Sequence, residues 1–209
     1  MSVIAPPLQQ GAIVAIAADG SKRSLAFQFN PDTLRRTLEP NTVGGHAGSR
    51  SQAVRFAGAP TETITLECRF SAVDAVSPGT GIVQGDGIGP QLAALATLAY
   101  PKSADVQRAQ QQLDAGTIEV LPALADRLLF VWGGSRVVPV RLTSATIVEE
   151  LYDRDLVPIL ATVTLTLQAV SYSDVDETNP SFSEFLSYQQ RLESLAAQAY
   201  TTGGGGQVA

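Results

Sequence analysis

Apolar and polar residues alternate with a period of two along much of this chain, the pattern of strands that bury one face and expose the other. Between residues 62 and 70, Ile64, Leu66, Cys68 and Phe70 fall on one side, and Thr63, Thr65, Glu67 and Arg69 on the other. The run at 158–170 repeats the pattern at greater length: Ile159, Ala161, Val163, Leu165 and Leu167 alternate with Leu160, Thr162, Thr164, Thr166 and Gln168. A strand of about a dozen residues reaches roughly 40 Å, more than a small sandwich requires. Such a strand is expected to pair beyond its own barrel.

Other segments extend the β reading. Residues 12–17 and 24–29 flank Asp19-Gly20-Ser21, the chemistry of a tight turn, and predict a hairpin that Asn30-Pro31 ends. Strands are predicted at 127–132, 136–142, 145–151 and 158–170, with turns at Gly133-Gly134-Ser135 and Asp153-Arg154-Asp155. Two stretches, 39–60 and 78–90, are rich in glycine and lack periodicity, so they predict long loops. Leu92, Leu95, Ala96, Leu98 and Ala99 have helical spacing that Pro101 stops, and 103–112 predicts a polar helix. Asn179-Pro180 opens a last helix whose stripe of Phe182, Phe185, Leu186, Leu192 and Leu195 needs a surface to lie against, and Gly203 to Gly206 predict a flexible tail. The fold class expected is mainly β: an antiparallel β-barrel over 1–174 with one short packed helix, then a linker, a C-terminal helix and a glycine tail over 175–209.

Composition narrows the function. A chain of 209 residues can bury a full core unaided, and one cysteine and one histidine leave neither a disulfide framework nor a His-based metal cage. A net charge of −6 argues against a dedicated nucleic-acid surface. Residues 1–10 have no cationic segment followed by an apolar one, and no apolar run approaches the ~18 residues of a membrane span. Cytoplasmic synthesis and assembly are expected.

Candidate chemistry is sparse. Glu149, Glu150, Asp153 and Asp155 are acidic, but their spacing matches no EF-hand, and carboxylates are common at turns for hydrogen-bonding reasons. Gly85-Asp86-Gly87-Ile88-Gly89 lacks the preceding strand and the Lys-Ser of a phosphate loop. His46 lies near Ser49 and Ser51, but sequence proximity does not make a catalytic triad. Cys68 is expected to be a buried hydrophobe, and Trp132 a core or rim aromatic or an exposed contact residue. No catalytic residue, cofactor or metal site is expected.

Several short motifs in order carry a resemblance: Phe27-Gln28-Phe29-Asn30-Pro31, Thr63-Ile64-Thr65-Leu66 leading to Phe70, Leu98-Ala99-Tyr100-Pro101, Leu129-Phe130-Val131-Trp132-Gly133, and residues 152–158. From about Gly11 to Ser171 the chain resembles the tube domain of contractile injection systems, the phage-tail-like particles whose inner tube and baseplate adaptors share one barrel fold. Within those motifs Phe27, Phe29, Asn30, Pro31, Phe130, Trp132 and Gly133 are expected to be structural positions.

The resemblance implies a homo-hexameric ring whose strands form a continuous lumen, with loops joining neighbouring rings. It implies as partners the inner tube protein, the baseplate and hub (spike) proteins, and the sheath as a further candidate. Many adaptor members carry a LysM module after the tube domain; here 175–209 holds a linker, a helix and a glycine tail, so the helix is the candidate docking element. The expected role is a tube-initiator or adaptor ring between tube and baseplate. The main inner tube protein of the same particle is the alternative, and a monomeric barrel for a small apolar ligand is the alternative from a different class. Thr162, Thr164, Thr166 and Gln168 are candidates for the lumen wall or for subunit contacts; a solvated outer sheet face is the other reading of the same residues.

Overall fold

The structure, a computed structural model, describes residues 10–44, 54–73, 85–116 and 124–202. The alternation at 62–70 becomes β6 (Thr61–Ser71), and that at 158–170 becomes β9 (Pro158–Ala169), paired antiparallel from Thr63 with Gln168 to Ser71 with Leu160. Every predicted inward residue of these two strands is buried, and the threonines between them are half-buried.

Around this pair stand β1 (Ala12–Ile16), β2 (Lys22–Ala26), β3 (Leu34–Glu39), β7 (Arg127–Trp132) and β8 (Arg136–Tyr152). The seven strands form one antiparallel sheet in the order β2-β1-β7-β8-β9-β6-β3, and a short separate ladder joins β4 (Thr42–Val43) to β5 (Arg55–Phe56). The sheet rolls into a barrel because the chain leaving β2 crosses to the far side. Phe27 still bonds to Gly11, but the Gln28 side chain takes both backbone groups of Ser71, and Phe29 bridges Arg69. The interior is filled by Phe27, Phe70 and Phe130 with Ile13, Ile64, Leu66 and Leu165. Burying one such side chain stabilises by about 1.5–3 kcal/mol, so the barrel interior is a core.

Two of the three helices cover this core. α1 (Gly89–Ala96) buries Leu92 and Leu95, α2 (Ser103–Asp114) buries none of its residues, and α3 (Pro180–Thr202) buries Phe185 and Tyr188. Tyr172, Phe182, Phe185 and Tyr188 pack edge to face at 5.7–6.2 Å, which ties the first turns of α3 to the end of β9. Its last turns stand clear of the core, with Leu195 and Tyr200 exposed.

Three local expectations change. The segments 136–142 and 145–151 are one 17-residue strand, because a bulge at Leu142/Ser144 absorbs Thr143, whose hydroxyl donates to the Thr166 carbonyl at 2.8 Å. β2 ends at Ala26, since Phe27 to Asn30 serve the crossing. The 39–60 loop holds the β4–β5 ladder, and β3, which the alternation did not predict, precedes it. His46, Ser49, Ser51, residues 78–84 and the glycine tail lie outside the described residues.

Candidate functional site

The surface with the most distinct geometry is the four-stranded block β8-β9-β6-β3. β8 changes partner along its length: Arg136 to Val140 pair with β7, and Val140 to Tyr152 pair with β9 on the opposite side. From Leu142 onward its other edge has no strand partner among the described residues. Among the described residues β3 pairs only with β6, so its outer edge has no strand partner there either. Unpaired edges present a row of backbone donors and acceptors that template the addition of another strand.

One face of this block is mostly polar, with Val148 among its hydroxyls and charges. Thr162, Thr164, Thr166 and Gln168 of β9 lie beside Arg69, Glu67, Thr65 and Thr63 of β6, and beside Val148, Thr146, Ser144 and Arg141 of β8. β3 continues the face with Arg35 and Thr37. The face is internally bonded. Thr162 donates to Glu150 at 2.8 Å, and both Nε and Nη2 of Arg141 donate to Gln168 Oε1, at 3.0 and 2.8 Å. Arg69 reaches the same Glu150 at 4.0 Å. The four predicted residues are thus brought together in one row, with cations and carboxylates interspersed.

The motif positions are spread between the core, its margin and the β7–β8 turn. Phe27 and Phe130 are fully buried, Trp132 stacks on Phe130 at 5.9 Å, and Asn30 accepts the Gly11 N–H at 2.9 Å. Gly133 has a φ of +67° in the β7–β8 turn, a conformation that favours glycine. Pro31 is half-buried beyond the crossing, and Phe29 is exposed.

The acidic candidates do not converge. Asp153 Oδ1 accepts the N–H groups of Asp155 and Val157 at 2.9 Å each and so shapes the β8–β9 turn, while Glu149 and Glu150 point to opposite faces of β8. No group of three or more His, Cys, Asp or Glu side chains is placed to hold a metal among the described residues. Cys68 is buried, and burial pushes its thiol up to about 12, with Glu67 adding to the shift. Such a thiol is not a nucleophile at neutral pH.

One cluster was not anticipated. Glu62, only 2% exposed, accepts Arg36 Nε at 2.7 Å and the Tyr188 hydroxyl at 3.1 Å. Arg36 Nη2 donates to Tyr188 in turn, at 2.5 Å. Burial acts against the Arg36 charge, but the hydrogen bond and charge of Glu62, with Tyr188, together outweigh it and raise the guanidinium above its ordinary value. Burial, reinforced by the Glu62 charge, pushes the Tyr188 hydroxyl up to about 12. The signal in the sequence is phase: Glu62 falls in step with Ile64 and Leu66, and Arg36 with Leu34 and Leu38, so opposite charges sit on the core side of paired strands. The cluster fastens α3 to β3 and β6, and Arg127 of β7 pairs with Glu184 of α3.

No helix among the described residues is long and apolar enough to cross a membrane. Comparison with curated proteins finds no match. Among solved structures, one chain from the tail of an empty GTA particle, computed with helical refinement in C6 symmetry, aligns over 76% of this chain and 90% of its own at 12% identity. Its TM-score of 0.31 is too low to bear on fold or assembly. The model of the contractile injection system tube protein family matches residues 13–177, which span the whole barrel from β1 through β9. This chain therefore belongs to the contractile injection system tube proteins, and it is a structural component of a tail tube.

Proposed function

We propose that six copies close into a ring through the two open edges of the β8-β9-β6-β3 block, and that this ring is a tube-initiator or adaptor between the inner tube and the baseplate. The observation that carries the ring is strand direction. Four antiparallel strands separate the two edges, so β3 of one copy set beside β8 of the next is again antiparallel and the ladder continues without a fault. A head-to-tail contact that closes by rotation gives a ring and removes every edge.

In that ring the row Thr162, Thr164, Thr166 and Gln168 lines the lumen. Hydroxyls and internally paired charges offer a passing hub or cargo little apolar surface and little net field. This is a wall for transit, and it requires no turnover chemistry. The adaptor role is supported by α3, whose anchored first turns and exposed Leu195 and Tyr200 provide an element to dock the baseplate or sheath.

Cryo-electron microscopy of particles from the native host tests both parts. Six copies in one ring at the tube–baseplate junction are expected. Many stacked rings of this chain would make it the main tube protein instead, and a chain found only as monomer would remove the ring reading.

A further inference from the structure

The two edges of the block carry complementary sequences. β3 reads Leu34-Arg35-Arg36-Thr37-Leu38-Glu39, with Arg35 and Thr37 on the mostly polar face and Leu34, Arg36 and Leu38 on the other. Along the free part of β8, Thr146, Val148 and Glu150 share the polar face, the last through its bond to Thr162, while Ala145, Ile147 and Glu149 lie behind them. Two adjacent arginines stand on one edge and two adjacent glutamates on the other, and each pair puts one charge on each face. Arg35 and Glu149 are exposed, Leu38 is 50% exposed, and Ile147 is half-buried.

Length and phase restrict how these edges can meet. Across the block Arg35 is level with Ser144, and Thr37 with Arg141. If β3 of the next copy joined at that level, Leu38 and Glu39 would fall against Val140 and Pro139, where β7 already occupies the edge. The joining strand must therefore slide toward the β8–β9 turn. A slip of one residue would put Leu38 on the polar face, so only every second register remains. One of these sets Arg35 opposite Glu150, Arg36 opposite Glu149 and Leu38 opposite Ile147. Two residues short of it Arg36 faces Ile147, and two residues past it Leu38 faces Glu149.

We infer that this register is the seam of the ring, with a second copy of this chain as the partner. It rests on the ring reading and names the contacts that close it. Opposite charges directly across paired strands favour the pairing, and like charges oppose it. Glu150 is held by Thr162 and faces Arg69 at 4.0 Å, and Arg36 is held by Glu62 and Tyr188, so one charge of each pair is already fixed in place. The stagger also suits closure. Arg35 moves six residues along β8, from the level of Ser144 to Glu150. That is about 20 Å for every four strands, which span about 19 Å, and it tilts the strands by roughly 45°, at the upper end of the range for closed barrels.

The test places pairs of cysteines in one chain, the native Cys68 being buried. Within a chain, positions on β3 and β8 are three strand spacings apart, about 14 Å, so a disulfide between them forms only across a seam. Rings of the Arg35→Cys, Glu150→Cys protein are expected to become covalently linked on mild oxidation. Those of the Arg35→Cys, Thr146→Cys protein, which matches a register four residues lower, are expected to stay unlinked. Arg35→Glu should raise the concentration needed for half-assembly about tenfold without changing the melting temperature of the monomer, and adding Glu150→Arg should restore assembly. Rings linked through position 146, rings linked through neither pair, or rings of Arg35→Glu at the unsubstituted concentration would overturn the register and leave the ring reading standing. If the unsubstituted protein forms no rings at all, both fail together.

Discussion

Tyr188 on the C-terminal helix donates its hydroxyl proton to the carboxylate of Glu62 on β6, 126 residues away in the chain. A carboxylate so deeply buried persists only when it is paired and hydrogen-bonded, and here Arg36 supplies the charge and Tyr188 the second bond. The helix is thus held to the barrel by a polar contact as well as by its aromatic face.

Removing each partner should cost different amounts. Arg36→Ala strands a buried charge and is expected to destabilise by about 3 kcal/mol, the low end for such pairs because Arg36 is itself partly exposed. Tyr188→Phe removes the donor to Glu62 and the acceptor for Arg36 Nη2 but keeps the ring and both charges, at about 1–2 kcal/mol. Urea unfolding of both variants gives the comparison, and equal losses would mean that Glu62 does not depend on the guanidinium.

Alkaline pH should loosen the fold in a defined window. Folding raises the Tyr188 hydroxyl to about 12, whereas an unfolded tyrosine ionises near 10, so the unfolded chain releases its proton first. That contribution is intact below about pH 10 and is lost as the pH rises toward 12. Cys68, also raised to about 12 from an unfolded value near 8.5, starts the decline earlier. A melting temperature that falls across this range in the native protein and falls less in Tyr188→Phe is the expected result.

The two faces of β9 should differ in tolerance. Leu165→Asp places an unpaired charge in the core and is expected to cost more than about 4 kcal/mol or to abolish folding. Thr164→Asp lies opposite Glu67, and the like charge costs at most about 1 kcal/mol. Circular dichroism with thermal melting separates the two, and similar melts would refute the face assignment.

Two glycines in one loop should behave unequally. Gly85 and Gly87 both have positive φ, but a Cβ on Gly85 would meet nothing within 4 Å, whereas one on Gly87 would lie 2.3 Å from the Pro158 carbonyl oxygen. Gly85→Ala is expected to cost about 1–2 kcal/mol through backbone strain alone. Gly87→Ala adds displacement of the β9 backbone, and its midpoint in urea should fall well below that of Gly85→Ala.

The strands that carry the barrel were legible because burial on one face writes itself as alternation, most clearly in β6 and β9. Four features were less legible, each for a physical reason. β3 is an edge strand whose Arg35 and Arg36 mask its apolar members. The single long β8 was divided because the extra residue Thr143 breaks the phase of alternation. The crossing at Phe27 to Asn30 depends on a side chain, Gln28, that mimics a backbone partner. Glu62, Arg36 and Tyr188 are far apart in sequence, and only the fold brings them together. The row of Thr162, Thr164, Thr166 and Gln168 was readable as one face, whereas the open edges beside it are a property of strand order and have no local signature.

The change of partner within β8 also has a mechanical consequence. Its first five residues are hydrogen-bonded to β7 in the core and the remainder to β9, so a pull along its open edge passes into the barrel through one unbroken backbone. The bonds on both sides run across the strand and are loaded together in shear, so none opens before the others. A thrust delivered at that edge would be carried by the covalent chain and its ladders, with no loop to yield.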